Sequence, residues 1–457
     1  MVEVPTPLAQ PGMALVRTAA SLVSAGTERM LVDFASKSLL GKARSRPDLA
    51  RQVFEKARRE GVLTTVEAAF NRLDEPMPLG YSSAGTIAGI GVGIRGFKVG
   101  QRVACGGGGY AVHAEYALVP QNLLAALPDN VDIESAAFTT LGAIALHGFR
   151  LAEASVGEQV TVIGLGLLGL LTVAIANAAG CKVLGTDLDP NRVQLAKEMG
   201  AEVAVTRDKA EAAAQSISRG CGSDVILICA DTRSSDPIEL AGAIARDKAK
   251  VVAAGAVGLE IPRKVYYEKE LSFINSRSYG PGRYDPSYEE DGQDYPIGYV
   301  RWTEGRNLGS FIDLLASERI DVHPLITHRF PIEQAPKAYD LIAGDRDQPF
   351  LGVLLTYGSK EPVEAEVSLP ADDQTTIGQI QSEQQNEAGS GEIKLGLLGA
   401  GNFASAIMLP ALSKVNGIEL TGVASASGLS AQNAASRFNF RYATSDGNKI
   451  LEDPAIN

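Results

Sequence analysis

The chain has 457 residues, more than one hydrophobic core normally fills, and its 45% hydrophobic and 21% charged residues are typical of a globular protein. Its net charge of −12 disfavours nucleic acid or an anionic membrane surface as the main partner. The four cysteines lack metal-ligand spacing, which indicates a reducing, cytoplasmic setting without disulfides.

Residues 1–145 are predicted to form a barrel-like antiparallel β domain. Short alternating runs such as "GMALVRTAASLV" recur there between glycines and prolines, which is typical of such domains. Residues 28–79 interrupt this pattern with a predicted helical insertion. Pro47 can open one helix, and Thr64 with Glu67 fits a capping box for a second.

Strands and helices alternate from residue 146 to 309, which predicts a parallel, doubly wound sheet. The uncharged stretch 160–180 is long enough for a membrane helix, but the alternation that follows favours a buried strand, a glycine turn and a buried helix. No membrane partner is therefore predicted. Residues 310–358 add two helices and a closing strand, with which the chain returns to the first domain.

A glycine motif, "GLGLLG", lies at 164–169 between the first strand and helix of this sheet. Its glycines allow a tight turn, close approach of a pyrophosphate, and close packing of helix on strand. Asp187 ends the next strand, where a carboxylate can accept hydrogen bonds from ribose hydroxyls and would repel a 2′-phosphate. NAD(H) is therefore favoured over NADP(H). The predicted cofactor-binding residues here are Gly164, Gly166, Leu167, Leu168, Gly169, Asp187, Arg192 and Ala230.

Residues 276–307 form a loop rich in tyrosine, arginine and acidic residues, and they include the only tryptophan. Aromatic planes beside charged groups suit a hydroxylated, ring-shaped substrate such as a sugar, a sugar acid or a nucleotide sugar. Contact between subunits of a homodimer or homotetramer is the competing interpretation. The predicted substrate-binding residues are Arg283, Tyr284, Tyr288, Tyr295, Arg301 and Trp302.

The last part of the chain has a different character. Residues 359–392 are acidic and lack aromatic residues, which predicts a disordered linker. Residues 393–457 begin a second strand–turn–helix unit, in which Gly399 and Gly401 are predicted to bind a second nucleotide. Its second strand ends without an acidic residue, which leaves two interpretations open: this turn prefers a phosphorylated ribose, or it binds weakly. We expect this segment to be a partial Rossmann unit, truncated or part of a longer protein.

Residues 12–356 resemble the medium-chain dehydrogenase/reductase superfamily through "SAGTE", "LGYSSAGTIAGIG", "VIGLGLLGLL" and "THRFPIEQAPKAYDLI". The resemblance implies a GroES-like catalytic domain joined to a Rossmann domain. Residues 393–457 resemble the start of the Gfo/Idh/MocA oxidoreductases through "GLLGAGNFA", "LPAL" and "LEDP". The combination is similar to the bacterial bi-domain oxidoreductases.

The chain departs from the zinc-dependent members of that superfamily at their metal ligands. Those members use Cys-Gly-Thr/Ser-Asp and Gly-His-Glu, whereas this sequence has Ala25-Gly26-Thr27-Glu28 and Gly80-Tyr81-Ser82. Alanine cannot ligate zinc and a tyrosine hydroxyl is a poor ligand, so no metal is predicted. His113 is interpreted as structural. The predicted catalytic residues are Tyr81, Thr27 and Glu28.

The sequence therefore predicts a zinc-independent NAD(H)-dependent oxidoreductase. Its expected substrate is a secondary alcohol or ketone of a sugar-like molecule, and two working nicotinamide sites in the full-length protein would allow redox-neutral epimerisation. Two alternatives stay open at this point: a quinone or enone reductase of the same fold, and a nucleotide-sensing protein without catalytic activity.

Overall fold

The computed structural model describes residues 1–35, 77–344, 348–358, 366–368 and 393–457. The chain divides into two compact units. The main unit comprises Gln10–Met30 and Leu79–Gly358, and the second unit comprises Met1–Ala9, Leu31–Pro78 and Ser359–Asn457. Most of the predicted helical insertion at 28–79 lies outside the described residues.

The first sheet of the main unit is built around the long strand β1. Its strand order is β12-β13-β1-β2-β3-β5, with β4 also paired to β1. Among the described residues its pairs are antiparallel, apart from β12 with β13. Because β13 pairs with β1, the chain returns to this sheet after the Rossmann-type region. The strands are β1 (Met13–Val23), β2 (Ser82–Ile90), β3 (Arg102–Gly106), β4 (Tyr116–Pro120), β5 (Leu124–Ala126), β12 (Ile326–Pro331) and β13 (Gly352–Thr356).

The second sheet of the main unit is parallel throughout its described strands, in the order β11-β10-β9-β6-β7-β8. This is the doubly wound order, in which the direction of winding reverses between β6 and β9. Ligands bind such sheets at the carboxyl ends of the strands beside that reversal. The strands are β6 (Gln159–Ile163), β7 (Lys182–Asp187), β8 (Val203–Thr206), β9 (Ser223–Ile228), β10 (Ala245–Ala253) and β11 (Ser272–Asn275).

Helices cover this sheet and fill the space between it and the first sheet. Leu141, Leu146, Leu170 and Phe311 are buried in one continuous core with the strands. The helices up to residue 343 are α1 (Ala25–Ala35), α2 (Ile133–Ala136), α3 (Thr139–Leu151), α4 (Leu167–Ala178), α5 (Pro190–Glu198), α6 (Ala210–Ile217), α7 (Asp236–Ile244), α8 (Arg263–Glu268), α9 (Pro286–Glu289), α10 (Glu304–Ala316) and α11 (Ala335–Ala343).

The uncharged stretch 160–180 forms a strand, a glycine turn and a helix, as its glycines predict. Strand β6 occupies its start, and α4 follows the glycine turn. All five residues of β6 are buried, and so are most residues of α4, which explains why the whole stretch is apolar. In the described part of the chain, no helix is long and apolar enough to cross a membrane.

The second unit contains a small sheet in the order β14-β17-β16-β15. Strands β15, β16 and β17 are parallel to one another, and β14 is antiparallel to β17. Its strands are β14 (Glu366–Ser368), β15 (Ile393–Leu398), β16 (Ile418–Ala424) and β17 (Tyr442–Thr444). Its helices are α12 (Leu409–Leu412), which continues a π-helical turn at Ala404–Met408, α13 (Leu429–Phe438) and α14 (Gly447–Glu452).

Strand β14 departs, at residues 366–368 only, from the prediction that residues 359–392 form a disordered linker. Val367 pairs with Ala443 of β17, and Lys449 lies 3.0 Å from the Glu366 carboxylate. Backbone pairing with β17 gives this segment an ordered position that its acidic composition does not predict. The other residues of the predicted linker lie outside the described part of the chain.

Candidate active site

The glycine turn between β6 and α4 has the geometry of a pyrophosphate-binding turn. Gly164 has φ +90°, and a Cβ there would lie 2.6 Å from the backbone nitrogen of Ala230. A Cβ on Gly169 would lie 1.8 Å from the Gly164 carbonyl oxygen, so glycine is required at both positions. Among the described atoms, none lies within 4 Å of a Cβ built on Gly166, at the N-terminus of α4. The turn therefore fits a pyrophosphate.

The next two residues, Leu167 and Leu168, form the first turn of α4. Their side chains are partly buried and pack against the core of the main unit. The helix they begin is 12 residues long, and its first backbone N–H groups have no partner within the helix. Any contribution of these leucines to cofactor binding would therefore come from their backbone rather than their side chains.

Asp187 ends β7 beside this turn and is held by backbone donors. Its Oδ2 accepts a hydrogen bond from Leu165 N at 2.6 Å, and its Oδ1 accepts one from Asp189 N at 2.9 Å. Arg192 Nη1 lies 3.9 Å from Oδ2, and the Arg192 side chain is 41% exposed. The carboxylate is thus oriented at the turn, and its remaining lone pairs are available to ribose hydroxyls.

Tyr81 and the first turn of α1 bring three hydroxyl groups together. Tyr81 Oη donates a hydrogen bond to Ser24 Oγ at 2.6 Å, and the Thr27 hydroxyl is a second hydrogen-bonding neighbour. Burial raises the pKa of Tyr81 above its ordinary value near 10, and the charge of Glu28 raises it further. The bonds to Ser24 and Thr27 act in the opposite direction. The phenol is therefore protonated at neutral pH and can donate to a substrate oxygen.

The backbone around Tyr81 fixes this group near the carboxyl ends of the parallel strands. The Tyr81 carbonyl accepts hydrogen bonds from Gly107 N and from Thr140 Oγ1, both at 3.1 Å. A Cβ on Gly26 would lie 3.9 Å from Oδ2 of Asp231, which follows β9. The hydroxyl cluster therefore lies beside the reversal point of the sheet, where nucleotides bind in this architecture.

Glu28 lies behind this cluster and does not face a ligand. Its side chain is 1% exposed, and its Oε1 accepts a hydrogen bond from Ser24 N at 2.8 Å. Its Oε2 contacts His113 Nε2 at 3.1 Å and accepts a hydrogen bond from Tyr339. The structure thus contradicts a direct catalytic contact for Glu28. The segment "AGTE" is the first turn of α1 rather than a loop, because Glu28 satisfies the free N–H group at the start of the helix.

The network continues from Glu28 through His113. His113 Nδ1 lies 2.7 Å from Ser21 Oγ, which in turn lies 2.8 Å from Tyr357 Oη. The imidazole is also close to Gly80, where a Cβ would lie 2.8 Å from the ring, so glycine at position 80 allows the packing. Sequence reasoning treated His113 as an isolated structural residue, whereas the structure joins it to the residue that holds Ser24.

Many polar side chains of the predicted substrate loop (residues 276–307) form hydrogen bonds with other residues of the same loop. Tyr288 is 2% exposed, and its hydroxyl bonds to Thr303 Oγ1 at 3.0 Å and to Gly305 N at 3.3 Å. The prediction that Tyr288 binds substrate is therefore wrong, because the side chain caps the start of α10 from within the core. The Tyr295 ring lies at a tilt of 38° to the Tyr288 ring, with centroids 5.3 Å apart, and the Tyr295 hydroxyl donates a hydrogen bond to Asp285.

The remaining predicted substrate residues form two arginine–aromatic stacks. Arg277 and Arg283 each place the guanidinium carbon 4.2 Å from the centroid of the Tyr284 ring, and Arg283 also pairs with Glu289. Trp302 lies between Arg150 and Arg301, at 3.4 Å and 3.8 Å from its ring centroid. Tyr284 and Arg301 are exposed, and Trp302 is half-buried.

The glycine turn of the second unit is also open. Gly399 has φ +98°, and among the described atoms none lies within 4 Å of a Cβ built on Gly399 or Gly401. The turn follows β15 and precedes a π-helical turn, so its first helical turn is wider than an α-helix. The next strand, β16, ends at Ala424 without an acidic residue. A nucleotide role for this turn stays a prediction.

Two stretches of the chain, one in each sheet region of the main unit, match models of known protein families. Residues 57–129 match the alcohol dehydrogenase GroES-like domain, and residues 168–290 match the zinc-binding dehydrogenase family. Both regions are thus similar to the medium-chain, zinc-alcohol-dehydrogenase-like family. The GroES-like and Rossmann-type parts of the predicted fold are thereby confirmed.

Relatives of the dehydrogenase family support this assignment. A D-xylulose reductase of Scheffersomyces stipitis is 26% identical over 315 residues, covering 59% of this chain and 80% of that protein. The sorbitol dehydrogenase of Homo sapiens is 26% identical over 298 residues, covering 58% and 76%. The galactitol-1-phosphate dehydrogenase structure from Escherichia coli matches with a TM-score of 0.58 and 21% identity, covering 78% of this chain and 96% of that chain.

These matches confirm the prediction of a dehydrogenase that acts on CH–OH groups and support a pyridine nucleotide as its cofactor. The same matches are compatible with either NAD or NADP as the cofactor. They also leave the resemblance of residues 393–457 to the Gfo/Idh/MocA oxidoreductases as a prediction.

The family is described as zinc-binding, and the residues of this site do not fit a zinc ion. Ala25 has no ligating atom, Tyr81 donates to Ser24, and both nitrogens of His113 are within hydrogen-bond distance of Ser21 and Glu28. Cys105 is fully buried, and burial raises the pKa of its thiol to about 12. Zinc prefers thiolate, imidazole nitrogen and carboxylate ligands. The one carboxylate here, Glu28, is engaged by Ser24, His113 and Tyr339, and no thiolate or free imidazole nitrogen accompanies it among the described residues. In the described part of the chain, no group of three or more His, Cys, Asp or Glu side chains could hold a metal ion.

Three hydroxyl-bearing residues that contact Tyr81, Glu28 or Ser21 are absent from the predictions made from the sequence: Ser24, Tyr339 and Tyr357. Ser24 directly precedes Ala25, so its hydroxyl could have been considered with the turn it starts. Tyr339 and Tyr357 lie more than 300 residues away along the chain, and their contacts arise only because β13 pairs with β1 and α11 packs nearby. No local pattern in the sequence indicates such contacts.

Proposed function

We propose that this chain is a zinc-independent, NAD(H)-dependent oxidoreductase that interconverts a secondary alcohol and a ketone on a polar, sugar-like substrate. The observation that carries the proposal is the hydroxyl cluster of Tyr81, Ser24 and Thr27, beside the carboxyl ends of the parallel strands. Two relatives are named for D-xylulose and sorbitol, which are polyhydroxylated molecules, and they support the substrate class.

In the proposed reaction, Tyr81 handles the proton at the reacting oxygen. The nicotinamide, when bound, supplies or accepts the hydride. In the reducing direction, the Tyr81 phenol turns from Ser24 to the carbonyl oxygen and donates its proton as the alcohol forms. Ser24 and Thr27 can then donate to the phenol oxygen, which agrees with their lowering effect on the Tyr81 pKa. In the oxidising direction the same steps run in reverse.

Glu28 and His113 act in this scheme as positioning residues. Glu28 fixes Ser24 through its backbone N–H, and His113 and Tyr339 hold the carboxylate in place. Burial is the main cause of the raised pKa of Tyr81, and the charge of Glu28 adds to it, so both favour the protonated phenol. Thr27 is exposed and is the member of the cluster most open to a ligand.

The preference for NAD(H) rests on Asp187. Its carboxylate ends β7 beside the glycine turn and is held there by two backbone donors. A 2′-phosphate would meet this negative charge, whereas ribose hydroxyls can donate to it. Arg192 lies close to the carboxylate and partly offsets the repulsion, so we expect discrimination rather than complete exclusion of NADP(H).

The first test replaces Tyr81 with phenylalanine and measures turnover and cofactor binding separately. A panel of polyols and sugar acids is screened by NADH formation, and NADH binding is measured by fluorescence. Loss of general acid–base catalysis predicts a fall in kcat of about 10²-fold or more with NADH affinity unchanged. Tyr267→Phe, on an exposed tyrosine of α8, is the matched control. A Tyr81→Phe variant as active as that control would refute the proposed role.

A second experiment tests zinc independence by removing metal from the protein and measuring turnover of the same substrates. The protein is dialysed against a chelator, its metal content is measured, and its turnover is compared before and after. Because Ala25 and Tyr81 cannot replace the usual ligands, we expect turnover to persist in protein that contains no stoichiometric zinc. Loss of activity that returns on adding zinc would show that the enzyme depends on a metal.

Two nicotinamide sites, one at each glycine turn, would extend this function to redox-neutral epimerisation. The paired turns at Gly164 and Gly399 motivate the idea, since oxidation at one site and reduction at the other would restore the cofactor. Purified full-length protein would then convert substrate without added oxidised cofactor. Stoichiometric release of NADH for every substrate consumed would count against it.

A further inference from the structure

Tyr284 and the two arginines stacked on it form a group that we call the arginine clamp: Arg277, Tyr284 and Arg283. Both guanidinium carbons lie 4.2 Å from the centroid of the tyrosine ring. Tyr284 is 56% exposed and has φ +68°, a left-handed backbone conformation that a bulky residue rarely adopts. Such strained conformations concentrate at functional sites, where the surrounding structure maintains them.

The clamp carries more positive charge than its surroundings neutralise. Arg283 is paired with the buried carboxylate of Glu289. Glu304 is also buried nearby, and burial raises its pKa to about 8, so this carboxyl group is largely uncharged at neutral pH. Arg277 is exposed, and within the described residues no carboxylate lies within 4.0 Å of it. One guanidinium therefore remains available to an anion.

The clamp lies near the backbone segment that holds Tyr81 in the main unit. A Cβ on Gly108 would lie 3.6 Å from Arg283 Nη2, and the adjacent Gly107 donates its N–H to the Tyr81 carbonyl. Arg277 follows the end of β11 by two residues, at the same carboxyl edge of the parallel sheet. The clamp is therefore a neighbour of the Tyr81 backbone through Gly107 and Gly108, at the same edge of the parallel sheet.

We propose that the arginine clamp binds an anionic group, a carboxylate or a phosphate monoester, on a polyhydroxylated substrate whose secondary alcohol reacts at Tyr81. This proposal rests on the function proposed above and adds the charge of the substrate. Arg277 contributes the free guanidinium, which matches the planar, two-oxygen geometry of both anions. Tyr284 holds the two guanidinium groups in place and offers its exposed ring edge to the carbon chain.

A second stack provides the control for this proposal. Arg263 of α8 is exposed, and its guanidinium carbon lies 5.0 Å from the centroid of the Tyr267 ring, much as Arg277 lies against Tyr284. It lies outside the loop at 276–307, and none of the predicted substrate or cofactor residues belongs to α8. Replacing Arg263 removes an exposed, aromatic-stacked arginine of the main unit without touching the clamp.

The test is calorimetric titration of the full chain, saturated with NAD⁺, with three ligands that share a six-carbon polyol chain. The ligands are D-sorbitol, D-gluconate and D-sorbitol 6-phosphate, so that one is neutral, one a carboxylate and one a phosphate ester. We expect at least one anionic ligand to bind about tenfold or more tighter than D-sorbitol, as a charge-assisted bidentate contact allows. Which anion gains affinity identifies the source of the charge.

Arg277→Gln should remove this preference, and Arg263→Gln should keep it. NADH affinity serves as the check that both variants are folded. Anionic ligands that bind no tighter than D-sorbitol, or do not bind at all, would overturn the proposal, and so would a preference that survives in Arg277→Gln. Hydride transfer is measured separately: anion binding without turnover contradicts the proposed function alone, whereas turnover without an anion preference contradicts only the clamp.

Discussion

Two buried glutamates in the main unit show how much the environment of one residue decides its role. Glu28 receives contacts from Ser24, His113 and Tyr339, so its carboxylate is held by polar partners. Glu304, at the start of α10, is fully buried, and neither of its carboxylate oxygens has a hydrogen-bond partner among the described residues. The carboxyl oxygens of Glu28 thus have polar partners, whereas Glu304 has none in the described part of the chain and is more stable as the neutral acid.

Glu304 should therefore make stability depend on pH. Burial raises its pKa from an ordinary value near 4.5 to about 8, so between these values the folded state binds more protons than the unfolded state. Unfolding free energy then falls as pH rises through this window, by up to roughly 5 kcal/mol. Glu304→Gln cannot titrate, so its stability relative to the wild type should increase with pH, as measured by urea unfolding at several pH values.

The matched control for this measurement is Glu268→Gln, at an exposed glutamate of α8. Its stability difference from the wild type should stay constant across the same pH range, because an exposed carboxylate is solvated in both states. A Glu304→Gln variant that behaves like this control would show that Glu304 does not retain its proton on folding.

At the scale of secondary-structure elements, the sequence predicts what is locally encoded and misses what depends on distant partners. The turn at 164–169 could be assigned from its glycines because their spacing reflects contacts within one strand–turn–helix unit. The strand at 366–368 was missed because its acidic surroundings conceal a pairing with β17. The loop at 276–307 could be recognised by composition, but its arginines, tyrosines and acids pair largely with one another, and composition does not specify those partners.

The glycine turn allows a prediction that separates folding from cofactor binding. Gly169→Ala would place a Cβ 1.8 Å from the Gly164 carbonyl oxygen, so helix and strand must separate, and overpacking of this kind costs about 1–3 kcal/mol. Gly166→Ala meets no described atom within 4 Å and should fold normally. We expect it to weaken NADH binding, because the added methyl occupies the space that a pyrophosphate would approach.

Thermal unfolding and NADH fluorescence titration of the two variants would check that Gly169 matters for folding and Gly166 for cofactor binding. The prediction requires a lowered Tm for Gly169→Ala and a near wild-type Tm with reduced NADH affinity for Gly166→Ala. If Gly166→Ala binds NADH as tightly as the wild type, this turn is not the place where the cofactor phosphates approach the backbone.

At the scale of the whole molecule, the chain contains two units that each bury their own apolar residues. In the main unit, Leu170, Phe311 and Leu354 belong to one buried cluster, whereas in the second unit Leu409, Val423 and Phe440 belong to a separate one. The acidic segment marked this division in the sequence, because it lies between two stretches with separate strand–turn–helix patterns. The pairing of β13 with β1 was not encoded locally and required the resemblance to a known family.

Separate cores predict that the second unit can be destabilised without loss of NADH binding by the main unit. In Gly422→Ala, a Cβ in β16 would lie 2.4 Å from the Tyr442 ring and 2.7 Å from Ile450, so both side chains must shift and the packing of this small unit is disturbed. Gly401→Ala is the matched control, because its Cβ meets no described atom within 4 Å. Calorimetry should show the transition of the second unit lowered or lost in Gly422→Ala alone. The Tm of the main unit, and the increase in that Tm on adding NADH, should match those of the wild type. If NADH no longer raises the Tm of the main unit, the cofactor site depends on the second unit as well.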